Sequence, residues 1–476
     1  MELLKNYCIN HAEFLIIILN LDCKCNNKMQ RCTLYNAKII NNCRFSKSAN
    51  MLHAKHITIA TDKFKGGLGS LEAAEIIKKG LQSAFLWHKQ SLYIPDSNYK
   101  IVTIADGGDG SAEIFRGSTD AEEIFCRTVG PLGRRVKSSF MYCHSKKIAF
   151  IEMAQVSGLA MIPVADRNPM HTTTYGMGEL ILKAAGAGAK KIIIGIGGSA
   201  TNDCGIGMLQ ALGYRFLNSL GKNIVDNRTG AEAFIRGEDL SGIKKIIYPA
   251  ANSAKAKMLK GIDITVVCDV KNPLTGSDGA TYAYGPQKGA SKKELEALED
   301  GMKNFLEAIE KSDDNFDKNN RQSKTFFVRQ MSKAEGAGAA GGIGFALMCF
   351  LKAKKMSGFD YFAKLQKLES KIKWADIVIS GEGMIDEQSL KGKVVGGVID
   401  IVNRLNGQYV GEEKRKAIKR IVWLFCGASK IKSGKNAEIF PMSDIEPDFK
   451  KRMNNEAAYL KERACAAALE KLLNVD

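Results

Sequence analysis

The chain has 476 residues, 45% of them hydrophobic and 25% charged, a composition ordinary for a globular protein and a length sufficient for two hydrophobic cores. Its net charge of +18 brings nucleic acid and anionic surfaces into consideration, but the lysines and arginines are scattered, with no RNP-type aromatic motif, zinc-finger spacing or basic arm, so neither nucleic acid nor membrane is the expected partner. The twelve cysteines form no C-x-x-C pair, which argues against a disulfide framework or zinc site and suits a reducing cytoplasm.

Residues 1–54 read as a disordered extension. Their apolar run, Phe14–Leu19, is six residues long against the roughly 20 that a membrane helix needs, and no clean cleavage site follows it; Met51 is a candidate start. From His56 the pattern changes. Ile57–Ala60 reads as a strand, Thr61–Gly67 as a polar turn holding Asp62 and Lys65, and Ser70 as the cap of a helix with Ala73, Ala74, Ile77, Leu81, Ala84 and Phe85 on one stripe. A strand at Ile101–Ala105 runs into ADGGDG, where Asp106 and Asp109 flank two glycines. An Asp-Gly hairpin turn and a carboxylate pair for Mg²⁺ are both open readings. Strands at Ser138–Cys143 and Ile148–Met153, around the turn Gly130–Gly133, indicate a more antiparallel region, and Thr172–Tyr175 leads into a helix through Lys183.

The stretch from Ile192 to Gly207, IIIGIGGSATNDCGIG, organises the rest. Its β-branched run suits a strand buried on both faces of a parallel sheet. A turn follows, Gly197, Gly198, Ser199, Ala200, Thr201, Asn202 and Asp203, and then a helical stripe from Ile206 to Leu212. Strand, glycine turn and helix start make an anion site, because unpaired backbone N–H groups converge there. One cap needs one polar residue; four in five positions exceed that need.

Val266–Val270 reads as a further strand, with Asp269 near its end and Asn272 just beyond. GPQKGAS precedes a helix whose start carries a capping box, Ser291 with Glu294. Lys311–Lys324 reads as an exposed linker. EGAGAAGGIG contains G-x-G-x-x-G at Gly336, Gly338 and Gly341, a weak dinucleotide fingerprint because no strand ends just before it; close packing of the helix Phe345–Leu351 accounts for the glycines equally well. ADIVIS (Ala375–Ser380) is a strand that ends in GEGMIDEQS, placing Glu382 and Asp386 one helical turn apart, with Lys391 following. A last strand at Ile421–Phe425 precedes a C-terminal helix, Asn455–Leu473.

No Walker A motif occurs, and no histidine sits in a strand-end motif. What recurs is an apolar strand, then glycines, then carboxylates with a few lysines. Glycines let amides approach phosphate oxygens, lysines neutralise them, and carboxylates hold Mg²⁺ or take a hydroxyl proton, which are the parts of a phosphoryl-transfer site.

IATDKFKGGLGS, ADGGDG, GPLG, IGIGGSATND, CDVKNPLTG, GPQKGA, GAGAAGG and ISGEGMIDEQS, in this order, resemble the type I glycerate kinase family from about His56 to the C-terminus. The resemblance implies an α/β fold of two domains: a flavodoxin-like parallel-sheet domain from residues 55–125 and 325–476, and a second α/β domain, 126–324, inserted into it, with the active site in the cleft. It implies transfer of the γ-phosphoryl group of ATP, with Mg²⁺, to D-glycerate, giving 2-phosphoglycerate; a 3-kinase and, in another class, a nicotinamide-dependent oxidoreductase using the Gly336 turn are the alternatives. A monomer and a homodimer both suit it. The chain departs from the family pattern at Thr61, Lys63, Asp109, Cys204 and Glu335, where the family usually has Pro or Ser around the first Asp, then Glu, Gly and Pro.

The candidate roles follow. Gly197, Gly198, Ser199 and Thr201 cradle phosphates, with Asn202 orienting a ligand and Lys391 neutralising charge. Asp203 is the first choice of base, Lys65 and Asp386 complete the catalytic set, and Asp269 and Asp386 are alternative bases. Asp62, Asp106, Asp269, Asn272 and Glu382 contact substrate, and Asp109, Asp269 and Asp386 are the metal candidates.

Overall fold

The computed structural model describes residues 56–473 apart from 65–66, 88–94, 106, 109, 225–233, 313–323, 388, 391–393, 408–419 and 435–436. The expectations for residues 1–54 and for most of the 311–324 linker therefore lie outside the described residues. Along the chain the strands are β1 (Ile57–Thr61), β2 (Tyr99–Thr103), β3 (Glu122–Val129), β4 (Arg135–Cys143), β5 (Ile148–Glu152), β6 (Lys191–Gly195) and β7 (Arg215–Leu217). They continue with β8 (Lys245–Ile247), β9 (Asp263–Val267), β10 (Lys354–Met356), β11 (Ile377–Ile385), β12 (Ile421–Ser429) and β13 (Ala437–Pro441). The chain divides into two compact units, one from residues up to Thr103 together with Leu368 onward, the other from Ile104 to Lys367.

The first unit is built on a five-stranded sheet in the order β13-β12-β11-β1-β2, parallel throughout. Counted within the unit this is the flavodoxin-like order of a doubly wound sheet. Parallel strands are covered on both faces, which is why they read as unbroken Ile and Val runs. Ile57, Ile59, Ile377, Ile379 and Phe425 are buried against Ala73, Ala74, Ile77 and Leu81 of the helix Ser70–Trp87 and against Leu460, Ala464 and Ala467 of the helix Glu456–Leu473. The two helices meet so closely that a Cβ on Gly80 would stand 2.4 Å from the Lys461 carbonyl oxygen. At the turn after β1, Ser70 Oγ donates to Thr61 O (2.6 Å) and Thr61 Oγ1 donates to Ser70 O (2.9 Å), a mutual clasp between strand and helix.

β11 does not stop at Ser380. It runs on to Ile385, in register with β12 through Glu382↔Cys426, Met384↔Ala428 and Ile385↔Ser429. Glu382 is thus a strand residue, and the expected helical-turn spacing to Asp386 is corrected: the glycines that suggested a turn let two extended backbones approach. A Cβ on Gly381 would lie 2.1 Å from the Phe425 carbonyl oxygen.

The second unit holds a six-stranded sheet in the order β10-β9-β6-β5-β4-β3. The first four strands are parallel; β4 and β3 join antiparallel, as the 138–153 region suggested. Its core gathers Ile192 and Ile194 of β6, Met177, Leu180 and Ile181 of the helix Tyr175–Gly186, and Ile343, Phe345 and Leu347 of the helix Ile343–Leu351. The unit boundaries fall at 103/104 and 367/368, where the sequence placed them at 125/126 and 324/325. The reason is packing: β3 pairs with β4 over its whole length, and the buried face of Ile343–Leu351 belongs to the second core. The Ser291–Glu294 capping box forms at the start of the helix Lys292–Lys311. Among the described residues no helix is long and apolar enough to cross a membrane.

Candidate active site

In the second unit the glycine turn leaves β6 at its carboxyl end and is enclosed by other turns. Gly197 N donates to Gly107 O at 3.2 Å, and a Cβ on Gly197 would stand 2.4 Å from the Gly108 Cα, so the ADGGDG turn and the IGIGGSATND turn touch backbone to backbone. Glu152, buried at the end of β5, accepts from Gly110 N (3.2 Å) and Ala112 N (3.0 Å) at the start of the helix Ser111–Gly117. Leu159 N donates to Gly198 O (2.8 Å) and Ala200 N to Ser157 O (2.8 Å). On the far side, Cys204 N donates to Gly341 O at 2.9 Å, and a Cβ on Gly341 would meet Thr201 O at 2.0 Å. The Gly336–Gly342 segment therefore packs on this loop, and its glycines fill a need of the chain itself rather than making room for a dinucleotide.

Burial sorts the predicted phosphate residues. Gly198 is exposed and Gly197 partly so, whereas Ser199 is 8% accessible and Thr201, Asn202 and Asp203 are fully covered. Asn202 Nδ2 donates to Thr281 Oγ1 (3.1 Å). Asp203 accepts from Thr174 N (2.8 Å), Thr174 Oγ1 (2.7 Å), Gly205 N (3.1 Å) and Gly207 N (3.2 Å). A carboxylate has about four lone-pair sites, and a base must come within hydrogen-bond reach of the proton it takes. Asp203 as described is a loop anchor. Burial pushes its carboxyl upward, while the donors from Thr174, Gly205 and Gly207 pull the other way. The next residue, Cys204, has a left-handed φ of 51°, a conformation that glycine adopts without strain.

Sequence reasoning missed Lys288. It lies in GPQKGA, is fully buried, and its Nζ donates to Ser199 Oγ (3.0 Å) and Thr201 O (2.7 Å). Burial pushes its pKa down to about 7, opposed by the negative charge of Asp203. The available signal was the glycine on either side, which marks a tightly enclosed turn. A Cβ on Gly289 would be 2.1 Å from the Arg167 carbonyl oxygen.

Asp269 and Asn272 follow β9 in the same unit. Asp269 lies two residues past the strand, which ends at Val267 rather than Val270, and its Oδ1 accepts from Gly358 N at 2.8 Å. Asn272 is held from three sides: Nδ2 donates to Asp278 O (2.7 Å), Oδ1 accepts from Tyr284 (2.7 Å), and its carbonyl accepts from Gly338 N (3.0 Å). Burial pushes the Tyr284 hydroxyl up.

In the first unit Asp62 follows β1, Glu382 lies within β11 and Asp386 follows β11. Asp62 N donates to Gly381 O at 2.9 Å, just past the Thr61↔Gly381 pair, and Asp62 Oδ1 accepts from Lys63 N (2.7 Å). Glu382 is the following residue on β11. Asp386 closes a small turn with Ser389, whose N donates to Asp386 Oδ1 at 3.1 Å. Lys65, Asp106, Asp109 and Lys391 lie outside the described residues. Among the described residues no group of three His, Cys, Asp or Glu is placed to hold a metal ion.

A family model described as the glycerate kinase family matches residues 57–468. A glycerate kinase of Bacillus subtilis (strain 168) is 41% identical over 342 residues, covering 72% of this chain and 80% of that protein. Glycerate 2-kinase of Escherichia coli (strain K12) is 39% identical over 355 residues, covering 75% and 84%. A crystal structure from Salmonella typhimurium LT2, described there as a glycerate kinase 2, is 33% identical, covers 88% of this chain and 98% of its own, and superposes with a TM-score of 0.65.

Proposed function

We propose, for a chain that belongs to the glycerate kinase family and is a kinase, that its reaction moves the γ-phosphoryl group of ATP to the 2-hydroxyl of D-glycerate. The observation that carries the proposal is the turn after β6: an exposed Gly198 beside a half-buried Gly197 at a strand end, backed by the buried Lys288 side chain. Phosphoryl transfer rests on placing charge correctly around three spreading oxygens. The name of the Escherichia coli relative supports the 2-position.

In this reading Gly197, Gly198 and Ser199 face phosphate oxygens, and Lys288 holds the Ser199 hydroxyl and supplies positive charge from behind the turn. Thr201, Asn202 and Asp203 fix the turn's shape from beneath. The base that takes the glycerate hydroxyl proton is Asp269 or Asp386, each at the end of a strand. Asp62, Asp106, Asn272 and Glu382 position substrate, and Lys65 and Lys391 neutralise transferring charge. Magnesium takes oxygen ligands, often one or two carboxylates with the substrate's phosphates; Asp109, Asp269 and Asp386 each have that chemistry and are its candidate ligands. When bound, it would neutralise charge that develops on the transferring phosphoryl group.

The test is incubation of the full chain with ATP, Mg²⁺ and D-glycerate, with the product resolved by phosphorus NMR. We expect 2-phosphoglycerate, abolished by a chelator and restored by Mg²⁺. Formation of 3-phosphoglycerate would overturn the acceptor position, and no phosphorylated glycerate at all would overturn the substrate.

A further inference from the structure

We propose that the outer edge of β3 pairs with the same edge of a second copy of this chain, antiparallel about a two-fold axis through Phe125. β3 is the last strand of its sheet. It is paired with β4 in unbroken register from Glu122↔Tyr142 to Val129↔Arg135, so no bulge twists its other edge away, and it contains no proline. Edge strands are normally blunted by such devices or covered. Here the edge presents Phe125 at 75% exposure, with Glu123 and Arg127 two residues to either side on the same face.

That spacing is self-complementary. With the axis at Phe125, Glu123 stands opposite the partner's Arg127, and Arg127 opposite the partner's Glu123. Ile124 meets Cys126, and the two Phe125 rings adjoin. Opposite charges directly across an antiparallel pair attract and like charges repel. Moving the axis to Ile124 sets Phe125 against Glu123, and moving it to Cys126 sets Phe125 against Arg127, so the pattern selects one register. Glu123 is already held on this face, accepting from Ser139 Oγ (2.6 Å) with Arg116 at 3.8 Å. The contact is isologous, as closed two-fold dimers require, and makes one sheet twice as wide. It stands apart from the phosphoryl-transfer reading.

Sedimentation of the full chain over a micromolar concentration series tests it. We expect the native chain to form a dimer, and E123R, R127E and F125K each to shift it to monomer. The double exchange E123R/R127E should restore the dimer, because it reverses both charges and keeps the match. Circular dichroism and the thermal midpoint establish that each variant is folded; should E123R fail to fold through loss of its Ser139 contact, R127E and F125K carry the test. A monomeric native chain, a dimer indifferent to the folded variants, or a folded double variant that stays monomeric would each overturn the proposal.

Discussion

Lys288 is buried, and among the described residues its ammonium donates to Ser199 Oγ and Thr201 O. An ammonium can only donate. While Lys288 holds its proton the Ser199 oxygen therefore accepts, so the lysine sets the polarity of a hydroxyl at the glycine turn. Methionine keeps most of the volume and removes the charge. Removing the ammonium relieves the cost of burying a charge but leaves the Thr201 carbonyl without this donor, at about 1–3 kcal/mol, while a small displacement of positioning groups is costly to rate. We expect K288M to fold, with a stability loss of no more than about 1–3 kcal/mol, and to lose about a hundredfold in kcat, read by steady-state kinetics beside a thermal melt. An unchanged kcat would remove Lys288 from the working of the loop.

Two helices, Tyr175–Gly186 and Ile206–Ala211, begin at one carboxylate. Asp203 binds Thr174 just ahead of the first and Gly205 and Gly207 at the start of the second, so it fixes the loop by fixing both helix ends. Asparagine keeps the shape but turns one acceptor oxygen into a donor, leaving buried N–H groups facing an NH₂. D203N should cost about 1–3 kcal/mol for each donor so orphaned, measured by urea denaturation, with activity falling alongside stability. Native stability combined with a hundredfold or greater loss of kcat, about what a positioned base contributes, would instead make Asp203 the base. The loop's existence was legible because its cues are local: a run of isoleucines, two glycines, then polar residues. Its burial was not, because the cover comes from Gly341 and Lys288, far along the chain. Likewise Gly381 and Gly383 look like a turn in isolation, and it is the neighbouring strands, β1 beside Gly381 and β12 along the whole stretch, that make them strand. The polar stretch after Lys311 suggested a domain boundary, yet the apolar face beyond it returns to the second core.

At the scale of the whole molecule, the buried lysine ties stability to pH. Its proton affinity in the folded chain corresponds to about 7, against the ordinary 10.5, so between these values the unfolded chain binds more protons than the folded one. Stability then rises with pH across that window, by at most about 1.4 kcal/mol per pH unit from one group. Below about pH 7 both states carry the proton, and the penalty of the buried charge is constant. With 69 lysines and arginines in the chain, the effect must be read as a difference: K288M lacks this titration and shares the rest. The three tryptophans, Trp87, Trp374 and Trp423, all lie in the first unit, so their emission reports the wrong half, and far-UV ellipticity is the observable to follow in denaturant at each pH. We expect the native chain to gain stability relative to K288M from pH 7 upward, levelling near pH 10.5. Parallel curves would mean that Lys288 keeps its ordinary affinity for its proton, and that the cavity holding it solvates the charge far better than two oxygen contacts can explain.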